Sequence, residues 1–537
     1  MACPEGAVGV VAISSRALVD VAIRAGGSPL KPIAKKLAKA FRKGTLGDAG
    51  ARLRDADIGA PEEALEAAAA SLDGLPIAAP WSEDLLLPLV IDSASCTGCG
   101  SCAKACSPGA LLMKPQTPAR IADARKATSV WESLPDTAGA TIETLEPRLG
   151  KLASSLLSRH CAMALAGGNG SEPGSGAKVA LRFALAMSEA ALQPRVLGQI
   201  RRVKELRSDL DAAIRTELAA AMPTGASLDQ ALAGGEVSTN GTLTPKDRAR
   251  LRGRATLSES LGALQQRLEQ GSRGLGRARL GMVLAPDLAE RWGVEFPYNP
   301  FQVPVVVAGA GSDLALAEGL LRGQFAQADE GEAHLRAASL DMKKTAPPPL
   351  HPPVMVVGGD ELLHAPIGDL PMKLLVLCGD ESPGELELLA MWRQGAFVAQ
   401  TAIGSPGHCG DVLLAAFAHD GPAVVRIHAP TLPDSSAAVP TSAASVAEGR
   451  WPLWSLAPGA PLAELQLMSE ASGVLSELVA LPQLRETLRD EYEAREATLR
   501  EELKAHMAAE KASEDVRFAV RLEERLMALA GLTGAQR

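Results

Sequence analysis

The chain has 537 residues, 47% of them hydrophobic but only 3% aromatic, so roughly two to four domains are expected, with cores packed largely through Ala, Leu and Gly. A formal net charge of −9 argues against broad nucleic-acid binding, which needs a basic face to neutralise phosphates. No run approaches the ~18 apolar residues of a membrane helix, and MACPEGAVGVVAISS lacks a charged region ahead of its apolar run, so neither a membrane span nor a secretory signal is expected and the protein reads as cytoplasmic.

Residues 1–80 read as a helical N-terminal region. ALVDVAIRAGG and PIAKKLAKAFRKG carry apolar residues at helical spacing and stop at glycine, and PEEALEAAAASLDG starts on Pro61 with acids in its first turn. AAPWSEDLLLP (78–88) then reads as a linker. Residues 81–120 form a compact unit in which a strand leads into a cysteine loop and a short turn leads into a second strand. Residues 121–300 look mostly helical, with breaks at SEPGSG (171–176) and GGEVSTNGTLTPKD (234–247).

From about 301 to 470 short apolar runs alternate with helical stretches: VPVVVAGAG, VMVVGGD, KLLVL, AFVAQTA and AVVRIHA. That alternation predicts a parallel sheet with crossover helices, hence an α/β domain. The final stretch, 471–537, reads as a charged helical tail too irregular for a long coiled coil.

Cys96-x-x-Cys99-x-x-Cys102-x-x-x-Cys106, followed by Ser107-Pro108, carries the strongest chemical signal. Three thiolates at every third position curl round one cubane, and Gly98 and Gly100 let the loop turn tightly with its N–H groups aimed at the sulfides. Four thiolates also suit Zn²⁺, but zinc knuckles usually use two separated C-x-x-C pairs, so a [4Fe–4S] cluster is expected. Either Cys106 closes this cluster or a remote thiol does, with Cys161 the best remote candidate; Cys3, Cys378 and Cys409 read as buried apolar residues.

The order of features resembles the C-terminal half of pyruvate:ferredoxin oxidoreductases and their 2-oxoacid:acceptor relatives. The resemblance spans roughly residues 86–460 and is carried by Cys96–Pro108, Val354–Asp360, Met372–Leu377, Ala396–Ala402, Gly421–Pro430 and Arg450–Trp454. It implies a ferredoxin-like domain ahead of a thiamine diphosphate domain. It also implies a reaction in which a 2-oxoacid is decarboxylated and the electrons leave through iron–sulfur clusters to ferredoxin or flavodoxin.

In that family Mg²⁺ and the diphosphate are held by a G-D-G turn and, further on, an Asn. On this chain the resemblance puts Gly358 and Gly359 at the phosphate-facing turn and Asp360 at the Mg²⁺ ligand. The next residue, however, is Glu361 rather than Gly, and Cys378-Gly379-Asp380-Glu381-Ser382 contains no Asn, so the thiamine site reads as degenerate. His364, His408 and His428 fall at loop positions and are given no role. Residues 1–80 are too few to hold the family's pyrimidine-binding domain, so a partner subunit carrying it is expected. The chain thus reads as a subunit or half-chain of a 2-oxoacid:ferredoxin oxidoreductase-like enzyme. The alternative is a non-catalytic electron-transfer subunit whose thiamine-type domain is a scaffold.

Overall fold

In the computed structural model of the protein the described residues run from 3 to 467, leaving out 44–45, 83, 107, 164–171, 173, 222–243, 271–279, 296, 302, 310, 347–349, 365–369, 382–387, 389–390, 393, 433–436 and 460–465. The charged tail expected over 471–537 lies outside them.

The N-terminal part is built from β1 (Val8–Val10), β2 (Ile13–Ser14), α1 (Ser15–Gly26), α2 (Ala34–Phe41), β3 (Leu46–Asp48), α3 (Ala49–Arg54), α4 (Glu62–Ser71), β4 (Pro76–Ser82) and β5 (Leu85–Ile91). The helices at the three expected places turn Leu18, Val19 and Ala22, Leu37 and Phe41, and Ala68 and Ala69 into one core. Between them runs an antiparallel sheet in the order β1-β5-β4-β3, with β2 also on β5. Residues 78–88 are therefore not a linker but the centre of this sheet. Pro80 and Pro88 made the stretch look irregular, yet Pro88 loses only an N–H, and its carbonyl still accepts from Val11 N at 3.3 Å.

After the cysteine loop and the single turn α5 (Ser101–Lys104), the second strand expected there is absent among the described residues, and Leu112 and Met113 are exposed. Helix α6 (Pro118–Ser133) starts on Pro118, is capped by Thr117 Oγ1 accepting from Arg120 N, and lays Ala127 and Trp131 on the N-terminal core. Helices α7 (Gly139–Leu149), α8 (Lys151–Ser155) and α9 (Arg159–Met163) lead to α10 (Gly176–Ala221), which pairs with α11 (Pro245–Gln270) and α13 (Asp313–Asp341) around Val203, Leu206, Leu210, Leu261, Leu264 and Leu335.

The second sheet contains β6 (Gly281–Leu284), β7 (Val305–Val307), β8 (Val354–Gly358), β9 (Met372–Cys378), β10 (Phe397–Ala402), β11 (Ala423–His428), β12 (Trp454–Leu456) and β13 (Gln466–Leu467), in the order β13-β12-β10-β11-β9-β8-β6-β7. From β10 to β7 every neighbour is parallel; β12 and β13 add an antiparallel edge. The α/β reading with a parallel sheet holds. Three strands were missed: β6, whose GMVL is short and sits inside the stretch expected to be helical, just before α12 (Pro286–Arg291), and the two- and three-residue edge strands β13 and β12.

Both faces of the sheet are covered, so its central strands read as unbroken apolar runs. Met355, Val357, Leu375 and Val425 face a core shared with α10 and α14 (Pro406–Ala418). Val354, Val356, Leu374 and Val424 face the other core, with α13 and Trp451. Helix α15 (Ala438–Ala447) closes the end beyond β11. Gly176 begins α10 flush against the chain leaving β11: a Cβ there would lie 2.3 Å from the Pro430 carbonyl oxygen.

Lys373 on β9 is buried, and its ammonium donates to the carbonyls of His419 (2.7 Å) and Gly421 (2.5 Å). Burial lowers its pKa from 10.5 to about 8. Between these values the unfolded chain holds a proton that the folded chain has released, so this residue's contribution makes stability rise with pH over that window. Urea midpoints measured across it should climb for the wild type relative to Lys373→Met; a pH-independent difference between the two would contradict the assignment.

Candidate functional site

The cysteine loop is set by the end of β5. Asp92 N donates to Ala7 O at 2.8 Å, and the Asp92 carboxylate then accepts from Ala94 N (3.0 Å) and Ser95 Oγ (2.6 Å), while its carbonyl accepts from Cys96 N (2.9 Å). Gly98 (φ 70°) and Gly100 (φ 78°) occupy the left-handed region, which glycine enters without strain, and so make the tight turns expected of them. Cys96, Cys99 and Cys102 line one recess, walled by Val8, Ile91 and Met113. Burial pushes the Cys102 thiol up, and the charges of Cys3, Cys96 and Cys99 push it further the same way.

Two expectations about the remaining thiols change. Cys106 follows α5, its carbonyl accepting from Gly109 N at 2.8 Å, and it is not among the residues lining the recess. Cys3, expected as a buried apolar residue, is partly exposed and lines the recess beside the other three. Cys161, the remote candidate, sits in the core against the large sheet, where burial pushes its thiol up. Cys378 and Cys409 are buried as expected.

The segment bearing Cys3 is held from two sides. Its β1 end pairs with β5, and two residues after Cys3 the Glu5 carboxylate accepts from Lys178 Nζ at 2.9 Å, with both side chains almost fully enclosed. One turn along α10, Arg182 is only 3% exposed, and its Nε and Nη1 have no hydrogen-bond partner among the described residues. Burial lowers the guanidinium pKa, and the negative charges that oppose this are Cys3 and then Glu5. Buried cations are normally compensated, so these donors mark a place for an anionic group. The thiols and the glycine turns together fit an iron–sulfur cluster.

The glycine turn after β8 has a different character. Asp360 opens a single 3₁₀ turn, Asp360–His364, and among the described residues between β8 and β9 there is no crossover helix like that of the resembled family. Arg426, in the middle of β11 and fully buried, donates from Nε to Asp360 Oδ1 and from Nη2 to Asp360 Oδ2, each at 3.0 Å. Its Nη1 donates to Gln400 Oε1 at 3.0 Å, and its guanidinium lies 4.7 Å from the Trp451 ring centre. Cys378 Sγ also donates to Asp360 Oδ1, at 3.1 Å. Both oxygens expected to face Mg²⁺ therefore face an arginine. Glu361 folds back so that its Oε1 accepts from Gly359 N at 2.7 Å, and a Cβ at Gly358 would lie 2.9 Å from that same oxygen.

The turn's cation position is thus taken by Arg426 and its anion position by Glu361. Gly358, Gly359 and Asp360 are brought together as expected, but they do not fit thiamine diphosphate with Mg²⁺. Nearby, Glu381 pairs with Arg450. His428 stacks on Trp451 at 4.9 Å and His408 Nδ1 lies 2.9 Å from Thr401 Oγ1; burial lowers the pKa of both histidines.

Several of these groups were missed, though the sequence carries a trace of them. Lys178 and Arg182 are charges four residues apart on GAKVALRFALAM, and Arg426 interrupts the apolar run AVVRIH. A charge inside a buried element requires a partner.

Residues 89–112 match the 4Fe-4S binding domain family. No curated protein matches the chain. Among solved structures, a 2-oxoglutarate:ferredoxin oxidoreductase from Magnetococcus marinus, determined with 2-oxoglutarate, coenzyme A and succinyl-CoA bound, is similar over 33% of this chain and 64% of that one, at 16% identity and a TM-score of 0.19. The chain thus spans less than two thirds of that protein. No helix among the described residues is long and apolar enough to cross a membrane.

Proposed function

We propose that this chain is the electron-carrying subunit, or half-chain, of a 2-oxoacid:ferredoxin oxidoreductase-like enzyme. Its cluster segment would lie over the matched residues 89–112, and its thiamine-type domain, expected over 301–470, would reach back to β6. The observation that carries the reading is the convergence of Cys96, Cys99 and Cys102 on one recess within a segment similar to 4Fe-4S binding domains. A [4Fe–4S] cluster supplies reversible one-electron transfer. In this reading the three cysteines would give thiolate ligands, and the N–H groups of the Gly98–Gly100 turn would be available to the sulfides. Arg182 would supply a buried positive charge that favours an added electron.

The carbon chemistry is assigned to a partner subunit that brings the pyrimidine-binding domain, and ferredoxin or flavodoxin is the proposed acceptor. The second reading, a sheet that serves only as a scaffold beside the cluster, is favoured by one observation: Asp360 is held by Arg426 on both oxygens.

Anaerobic loading followed by redox titration tests the proposal. The full chain is expected to take up about four irons and about four sulfides, with a paramagnetic reduced state that returns to the oxidised one without loss of iron. Zinc bound in preference to iron, or a cluster that falls apart on reduction, would sink the electron-transfer reading.

A further inference from the structure

We infer that the fourth thiolate of the cluster comes from Cys3, near the start of the chain, and not from Cys106. This rests on the iron–sulfur reading above and adds to it the identity of the ligand set. In two-cluster ferredoxins the fourth cysteine of each run ligates the other cluster, so a C-x-x-C-x-x-C-x-x-x-C run does not by itself close its own site. Here Cys106 lies beyond α5 and outside the recess, whereas Cys3 lines it with Cys96, Cys99 and Cys102.

The chain is built to bring Cys3 there. In the antiparallel register Val8 stands opposite Ile91, and the bond from Asp92 N to Ala7 O carries the pairing one step further. The segment before β1 is thereby drawn back alongside the start of the cysteine loop. Glu5 then fixes it to α10 through the enclosed ion pair with Lys178.

Arg182 is the second, independent sign. A guanidinium 3% exposed, with two nitrogens lacking partners among the described residues, lies one turn along α10 from Lys178, the partner of Glu5. A cluster held by four thiolates is net negative in either redox state and would compensate it. Arg182 is a positioning and charge-balancing residue in this scheme, not a ligand.

The test uses the full chain, purified and loaded anaerobically with iron and sulfide, as wild type, Cys3→Ser, Cys3→Gly, Cys106→Ser and Arg182→Met. Iron per chain should fall from about four to about three in both Cys3 variants, with the paramagnetic signal of an oxidised three-iron cluster. Cys106→Ser should keep the wild-type iron content and spectrum. Added 2-mercaptoethanol should restore the four-iron form to Cys3→Gly, which separates a lost ligand from a misfolded chain. Arg182→Met should keep its iron but titrate at a lower potential.

Full iron in the Cys3 variants, a three-iron form in Cys106→Ser, failure of thiol rescue, or an unchanged potential in Arg182→Met overturns the assignment. A wild type that takes up no cluster overturns the iron–sulfur reading along with it, and wild-type loading, measured first, tells the two failures apart.

Discussion

Replacing Asp360 by alanine is expected to cost about 3 kcal/mol of stability and to change no cofactor affinity. The resembled family uses this carboxylate to hold Mg²⁺. In this chain it neutralises Arg426, whose guanidinium is fully buried between Gln400 and Trp451. Removing one member of a buried pair leaves the other charge uncompensated, which typically costs about 3–5 kcal/mol; the lower end applies because Asp360 is itself partly exposed. Asp360→Asn, which retains an acceptor, should lose less.

Urea unfolding followed by tryptophan fluorescence measures the first quantity. Calorimetry with thiamine diphosphate and Mg²⁺ measures the second, and no binding is expected for wild type or variant. Magnesium-dependent binding by the wild type that disappears in Asp360→Ala would show the site to be alive and the arginine readily displaced.

Lys178→Met should be at least as damaging, at about 3–5 kcal/mol, because here both partners are enclosed. The double variant Glu5→Gln/Lys178→Met should recover a large part of the loss, since it removes the stranded carboxylate together with its partner. The pair also ties the segment before β1 to α10, so Lys178→Met should release iron to a chelator faster than the wild type. Equal chelation rates for wild type and Lys178→Met would mean that this anchor has no part in holding the cluster segment.

The parallel sheet was legible because strands covered on both faces leave a distinctive trace: VMVV, KLLVL and AVVRIH are apolar at every position or nearly so. The helices of the N-terminal part were legible from spacing and caps. Its antiparallel sheet was not, because β1, β2 and β3 are two or three residues long and β4 contains two prolines. Runs that short carry too little periodicity to separate a strand from a turn.

At the site, three of the cysteines announced themselves by spacing within one loop. Cys3 did not, since nothing in a linear pattern relates it to a motif more than ninety residues away. That relation is made by the β1–β5 register and by a lysine on α10, both tertiary facts. Asp360 stands at the end of its strand, but the arginine that holds its carboxylate, Arg426, lies two strands across the sheet, a relation no linear pattern carries.

The pairing of β1 with β5 also has a mechanical meaning. Cys3 and Cys96 stand at the two ends of a stretch that contains nearly the whole N-terminal core. A single inorganic group gripping both would cross-link a loop of about ninety residues, as a disulfide does in a secreted protein. The unfolded chain would lose much of its freedom and the folded one almost none. Oxidative destruction of the cluster would then loosen the fold as well as interrupt the current.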